Sequence, residues 1–198
     1  MHKSEKDKWG WGPTGAYTSA KGYELMQTHR DRIQLAKFWK EVWDPMVLPK
    51  VNFFFWTLMH RKILTGENLM KRNISGLHRC TLCKEAMETM DHLFVECPYA
   101  NRVWTHTLQG LKAVISTKTS VVDLFLSWKE RYPSLSLNSS WARIWITLPK
   151  LVCWKLWLAR NEQIFKNITW TPNMVAAKAK GLLEILNSQK IKEDNSMQ

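Results

Sequence analysis

A mainly α-helical fold is predicted, and three observations predict it. Apolar residues recur at helical spacing in one segment after another, helix-start signals precede those segments, and no strand–helix–strand alternation is visible. With 45% hydrophobic and 23% charged residues, the 198-residue chain has a globular composition, which excludes disorder as its default state. The length suits one compact domain, or one domain with a helical extension.

Each element follows from local signals. The first twenty residues are rich in Gly and Trp; Gly10, Gly12, Pro13 and Gly15 predict an irregular loop or hairpin. Ser19 is placed to cap a short helix reaching Met26. Residues 31–43 read as a second helix, with Ile33, Ala36, Trp39 and Trp43 near one face, and Pro45 and Pro49 end it. A third helix is expected over 50–64. Its Val51, Phe54, Phe55, Leu58 and Met59 repeat as one buried face. Thr65 is placed to cap a fourth, short helix over 66–73.

Further along, Pro98 suits the first turn of a helix over 98–111. Ser120 and Asp123 have capping-box spacing before a helix over 121–132, and 133–140 reads as a loop. Residues 141–165 give a long helical pattern, with a kink expected at Pro149. Thr171 and Pro172 open a last helix whose apolar face is Val175, Ala179, Leu182, Leu183 and Leu186. The polar residues 189–198 are expected to be a loose tail.

The most informative stretch lies between those helices. CTLCKEAMETMDHLFVEC, Cys80 to Cys97, holds three of the four cysteines. The pattern is C-x2-C-x8-H-x4-C. Two cysteines three apart can grip one metal from a tight turn, and two later ligands complete a tetrahedron. Thiolate and imidazole donors suit zinc, and four protein ligands leave no position for water, so a structural ion is expected. Cys80, Cys83, His92 and Cys97 are the candidate ligands. His78 competes with His92 for the fourth place, and His106 is a weaker competitor. A disulfide would need an oxidising compartment, and the N-terminus shows no apolar signal core, so an intracellular protein with reduced thiols is the expectation. The Asn-x-Ser/Thr triplets at Asn73, Asn138 and Asn167 are then accidental. Cys153, in an apolar helix, reads as a small core residue.

The formal net charge of +12 favours polyanionic partners. Arg61, Lys62, Lys71, Arg72 and Arg79 flank the cysteine stretch and are candidates for phosphate contacts. A solvated helix end is the competing reading of the same residues. The twelve tryptophans invite base stacking, but pairs such as Trp141/Trp145 and Trp154/Trp157 have the spacing of a buried helix face. Core packing is expected for most of them, with Trp9 and Trp11 the exceptions. The most apolar stretch, 144–159, is broken by Pro149, Lys150 and Lys155 and falls short of a membrane span. No phosphate-binding Gly loop, nucleophile elbow or pair of catalytic carboxylates is found, and no small-molecule substrate is suggested.

The residues also match a family pattern. Trp39 and Trp43, then Pro49, Lys50, Val51, Phe54 and Trp56, then Leu64 and Thr65, lead into Cys80 and Cys83. Glu88, Thr89, His92, Leu93, Phe94, Cys97 and Pro98 complete the set. This arrangement resembles the zinc-binding domain that follows the polymerase in plant LINE-type (non-LTR) retrotransposon reverse transcriptases. WGPTGAYTSAKGYELM resembles the start of that module, and Trp154, Trp157, Arg160 and Asn161 resemble a helix that often follows it. The resemblance implies a zinc-binding domain over 9–110, a C-terminal helical region over 118–188 and a polar tail over 189–198. It implies one zinc ion, RNA or DNA as partner, a possible polymerase partner, and a nuclear location. The chain has no adjacent Asp-Asp pair, and beyond the cysteine stretch only Asp123 and Asp194 occur. Polymerase and RNase H carboxylates are therefore not expected, and the module is read as noncatalytic and detached from its polymerase. A protein-docking module and a nonfunctional remnant are the alternatives.

Overall fold

The computed structural model describes residues 42–76, 78–109, 120–128 and 140–196. The Gly/Trp-rich loop, the helix capped by Ser19, all but the last two residues of the 31–43 helix, and the loop at 133–139 lie outside the described residues. The described residues are mainly helical, and all of them belong to one compact unit that begins at Val42. Six α-helices are described: α1 (Pro49–Met59), α2 (Gly66–Met70), α3 (Pro98–Leu108), α4 (Val121–Trp128), α5 (Ser140–Lys166) and α6 (Pro172–Ser196). A π-helical turn, His92–Glu96, precedes α3. None of these helices is long and apolar enough to cross a membrane.

The first helix is shorter than its apolar pattern predicts. It ends because Arg61 takes a left-handed conformation, φ 54°. The Arg61 N–H donates to Leu58 O at 2.9 Å and the Lys62 N–H to Thr57 O at 3.0 Å, the paired closure of a Schellman motif. Asn73, φ 58°, closes the segment after α2 in the same way, with its N–H on Met70 O and that of Ile74 on Leu69 O.

Two expected caps form. Ser120 Oγ accepts the Asp123 N–H at 3.1 Å, and Thr171 Oγ1 accepts the Met174 N–H at 3.3 Å. Thr65 does not cap α2 with its hydroxyl, although it stands at the N-cap position. Glu88, 22 residues away, does so instead: its Oε1 accepts the Gly66 N–H at 2.9 Å and its backbone O accepts the Glu67 N–H at 3.1 Å. A carboxylate is the stronger acceptor at a helix start, because it also meets the positive end of the helix dipole.

The core lies where α5 and α6 pack together and against α1 and α3. Val47, Val51, Leu151 and Leu186 meet there, with Leu182 and Leu183 half-buried beside them. Val175 and Ala179 are also buried, so the predicted face of α6 does point inward. Helix α5 continues through Pro149, and α6 runs to Ser196, where a loose tail was expected. Tryptophans do fill much of the interior. Trp128 and Trp145 stack with ring centres 4.6 Å apart, and each indole N–H donates to the other's backbone O. Trp104 is buried and donates to Phe94 O at 2.8 Å. Trp43 and Trp56 remain exposed. Cys153 is fully buried, and burial pushes its thiol well above the ordinary range, as befits an inert core residue.

Candidate metal centre

Backbone hydrogen bonds shape the cysteine turn. The Cys80 N–H donates to Ala86 O at 2.8 Å, and the Lys84 N–H returns to Cys80 O at 2.7 Å. Lys84 sits between them in a left-handed conformation, φ 62°. Arg79 and Met87 bridge antiparallel, and the Glu88 N–H reaches His78 O at 3.1 Å. The result is a tight knuckle with Cys80 and Cys83 at its tip.

The other two candidate ligands come from the π-helical turn. Thr89 Oγ1 accepts the His92 N–H at 3.0 Å, and the Cys97 N–H closes the wide turn on His92 O at 2.8 Å. In an α-helix, residues five apart would point about 140° away from each other. The i to i+5 turn reduces that divergence and lets His92 and Cys97 serve one centre. Leu93, Phe94 and Val95, between them, are fully buried, so core packing fixes the turn. Pro98 then starts α3 directly.

The four donor atoms lie within 4.8 Å of one another. Cys80 Sγ and Cys97 Sγ are 3.9 Å apart, and Cys83 Sγ and His92 Nε2 are 3.3 Å apart. Tetrahedral zinc, at about 2.3 Å from sulfur and about 2.0–2.1 Å from nitrogen, sets ligand atoms roughly 3.5–3.8 Å apart. The set therefore fits one zinc ion. His78 is not in the cluster; its Nδ1 lies 3.2 Å from Met70 Sδ. His106 is on the last turn of α3 and is not in the cluster either.

The donors are electrostatically coupled. Hydrogen bonding to Cys97, then burial, pushes the Cys80 thiol up to about 12. The same bond, with the Ala100 and Tyr99 N–H groups at the start of α3, holds the Cys97 thiol below its ordinary value against burial. Hydrogen bonds that the protonated imidazole donates to Cys80 and, against burial, to Cys83 raise His92 to about 9. A divalent cation among such groups replaces the shared protons and favours thiolates with neutral imidazole.

A buried ion pair supports the knuckle from behind. Arg160 Nη2 lies 2.6 Å from Glu88 Oε1, with 3% and 0% of the two side chains exposed. Arg160 Nε adds bonds of 3.2 Å to both carboxylate oxygens, and Arg160 also donates to Leu64 O and Asn161 Oδ1. Its guanidinium lies over the Trp157 ring at 4.9 Å. Glu88 thus joins α2, the knuckle and α5. The pairing spans 72 residues, and no local spacing announces it.

The basic candidates are placed unevenly. Arg61 pairs with Asp91 at 2.8 Å, and Lys71 pairs with Glu67 at 2.5 Å. Lys62, Arg72 and Arg79 are exposed. Sequence spacing gave no hint of a second basic group, Lys50, Lys155 and Lys178. Burial, then the charges of Lys178 and Lys50, lowers the Lys155 ammonium below its ordinary value.

The geometry gives a mainly helical protein with a Cys3His cluster compatible with one zinc ion. Residues 17–104 match the family described as zinc-binding in reverse transcriptase, which takes in the whole cluster. The match agrees with the family resemblance of the cysteine stretch. A curated protein of Arabidopsis thaliana, named as a ribonuclease H protein, is 24% identical over 159 residues. Those residues are 79% of this chain but 25% of that relative, so the chain spans about a quarter of its length. No solved structure matches the chain.

Proposed function

We propose that Cys80, Cys83, His92 and Cys97 ligate one structural zinc, and that the chain is a noncatalytic module of retrotransposon reverse-transcriptase origin that binds RNA or DNA. The convergence of the four donors inside the matched residues 17–104 carries this reading. The ion holds the knuckle against α3 and takes no part in a reaction. Binding draws on the net charge of +12, through phosphate contacts indifferent to sequence. All five expected contacts are exposed; Lys62, Arg72 and Arg79 are taken as the main ones, and Lys50, Lys155 and Lys178 add a second group. Arg61 and Lys71 contribute less, because each faces a carboxylate. Nuclear residence goes with this reading.

The test is binding of the zinc-loaded chain to labelled single-stranded RNA across a salt series. Affinity is expected to fall steeply as salt rises and to be lost in Cys83→Ser. No binding at low salt by the folded, zinc-loaded protein would overturn the nucleic-acid part. An RNA–DNA hybrid incubated with magnesium should stay intact; cleavage would overturn the noncatalytic part. A second reading, docking on a polymerase, is favoured by the exposed Phe53 and Trp56 on α1. Recovery of a polymerase fragment, with no nucleic acid bound, would favour it.

A further inference from the structure

The zinc cluster leaves unused a set of aromatic side chains between α1 and α5. Phe53, Phe54, Trp154 and Trp157 line a groove of about 340 Å³, a volume within the range of about 300–1,000 Å³ usual for small-ligand sites. Lys50 and Lys62 also line it, both are exposed, and the lining contains no carboxylate. Phe53 is 60% exposed, an unusually large share for a phenylalanine. It stacks on Trp56 with ring centres 5.9 Å apart and planes inclined by 25°.

We infer that this groove is a binding site for single-stranded nucleic acid, taking an unpaired base on the exposed ring of Phe53 and the adjoining phosphates on Lys50 and Lys62. The site rests on the nucleic-acid reading above and deepens it. Aromatic faces accept any base, and lysines track the backbone, so the groove combines the two elements of single-strand recognition. A duplex hides its base faces in the stack and offers the groove only phosphates. Positive rims with an acid-free lining suit a polyanion. The groove is also tied to the metal centre. Phe54 packs edge-on against Phe94, ring centres 6.1 Å apart, and Phe94 lies between ligands His92 and Cys97.

The experiment compares zinc-loaded wild type with Phe53→Ala and Lys62→Gln, two changes at exposed positions. The probes are a labelled oligothymidylate, an abasic strand of equal length and charge, and a duplex of that length. Wild type is expected to bind oligothymidylate at least about fivefold more tightly than the abasic strand, the value of one stacked base. Phe53→Ala should remove that difference and leave abasic binding unchanged. Lys62→Gln should weaken both strands and lessen their salt dependence. Equal binding of the oligothymidylate and abasic strands by wild type would overturn the groove and leave the nucleic-acid reading standing. So would an unchanged preference in Phe53→Ala. No binding of any probe at low salt would overturn both, and saturable uptake of a peptide alone would give the groove to a protein partner.

Discussion

Between Cys80 and Cys97 the chain is held by side chains that converge on one point; between Ser140 and Ser196 it is held by two long helices. The knuckle has one isolated bridge and a few turn bonds, and Lys84, Glu85 and Met87 on it are exposed. It lacks the apolar area to offset the entropy of ordering its own loop. The α5–α6 pair buries Leu151, Val152, Leu156, Val175 and Ala179 and needs no ion. The difference teaches where metal dependence should lie. It belongs to the short segment, and Glu88–Arg160 is the joint through which that segment reaches the helices.

Removing the metal should break the comparison most completely. A chelator or Cys83→Ser should unfold the knuckle, since structural zinc binding supplies folding free energy of about 10 kcal/mol or more in small domains. Hydrogen exchange should show amides of residues 78–97 losing protection before those of α5. Equal loss in both would make the chain a single metal-dependent unit.

Breaking the joint comes next. Glu88→Gln leaves Arg160 buried beside a neutral group and weakens the cap on α2, at a cost of about 3–5 kcal/mol. Denaturant melts of zinc-loaded protein would show it, and a cost below about 1 kcal/mol would mean that water reaches Arg160. The helical pair should respond to ordinary packing rules. Leu151→Ala should cost about 2–5 kcal/mol and leave the zinc content unchanged. Loss of zinc in that variant would erase the distinction between the two regions.

The smallest effect concerns Asp91, next to the candidate ligand His92. Burial alone would raise its carboxyl, but Arg61 and the Val121 N–H outweigh burial and hold it below its ordinary value. A depressed carboxyl contributes stability that is present above its unfolded value of about 3.9 and is lost as pH falls through the folded one. Asp91→Asn should therefore melt slightly below wild type at neutral pH, and the gap should narrow below about pH 4. A gap independent of pH would mean that the charge of the Asp91 carboxylate contributes nothing to it.

Much of this was legible in the sequence, because helices and metal knuckles are written in short spacings. The buried face of α1, Pro98 and the Thr171 cap each depend on residues within a turn or two of one another. The four donors were legible for the same reason, and His-x4-Cys even carries the five-residue step of the π-helical turn. That His78 stands outside the cluster was not, since it turns on the contact of its ring with Met70, eight residues earlier. Nor was the cap on α2: Thr65 had the right type and position, yet a carboxylate 22 residues away takes the N–H. Arg160 read as one charge in an apolar helix, and its partner lies 72 residues earlier. Long-range pairings of this kind leave no periodic trace.

The central claim is that one zinc sits among Cys80, Cys83, His92 and Cys97. Metal content per folded chain, measured side by side for wild type, His92→Ala and His78→Ala, tests it most directly. One zinc in wild type and His78→Ala, with loss or marked weakening in His92→Ala, is the predicted result. Zinc retained at full affinity in His92→Ala, or lost in His78→Ala, would contradict it.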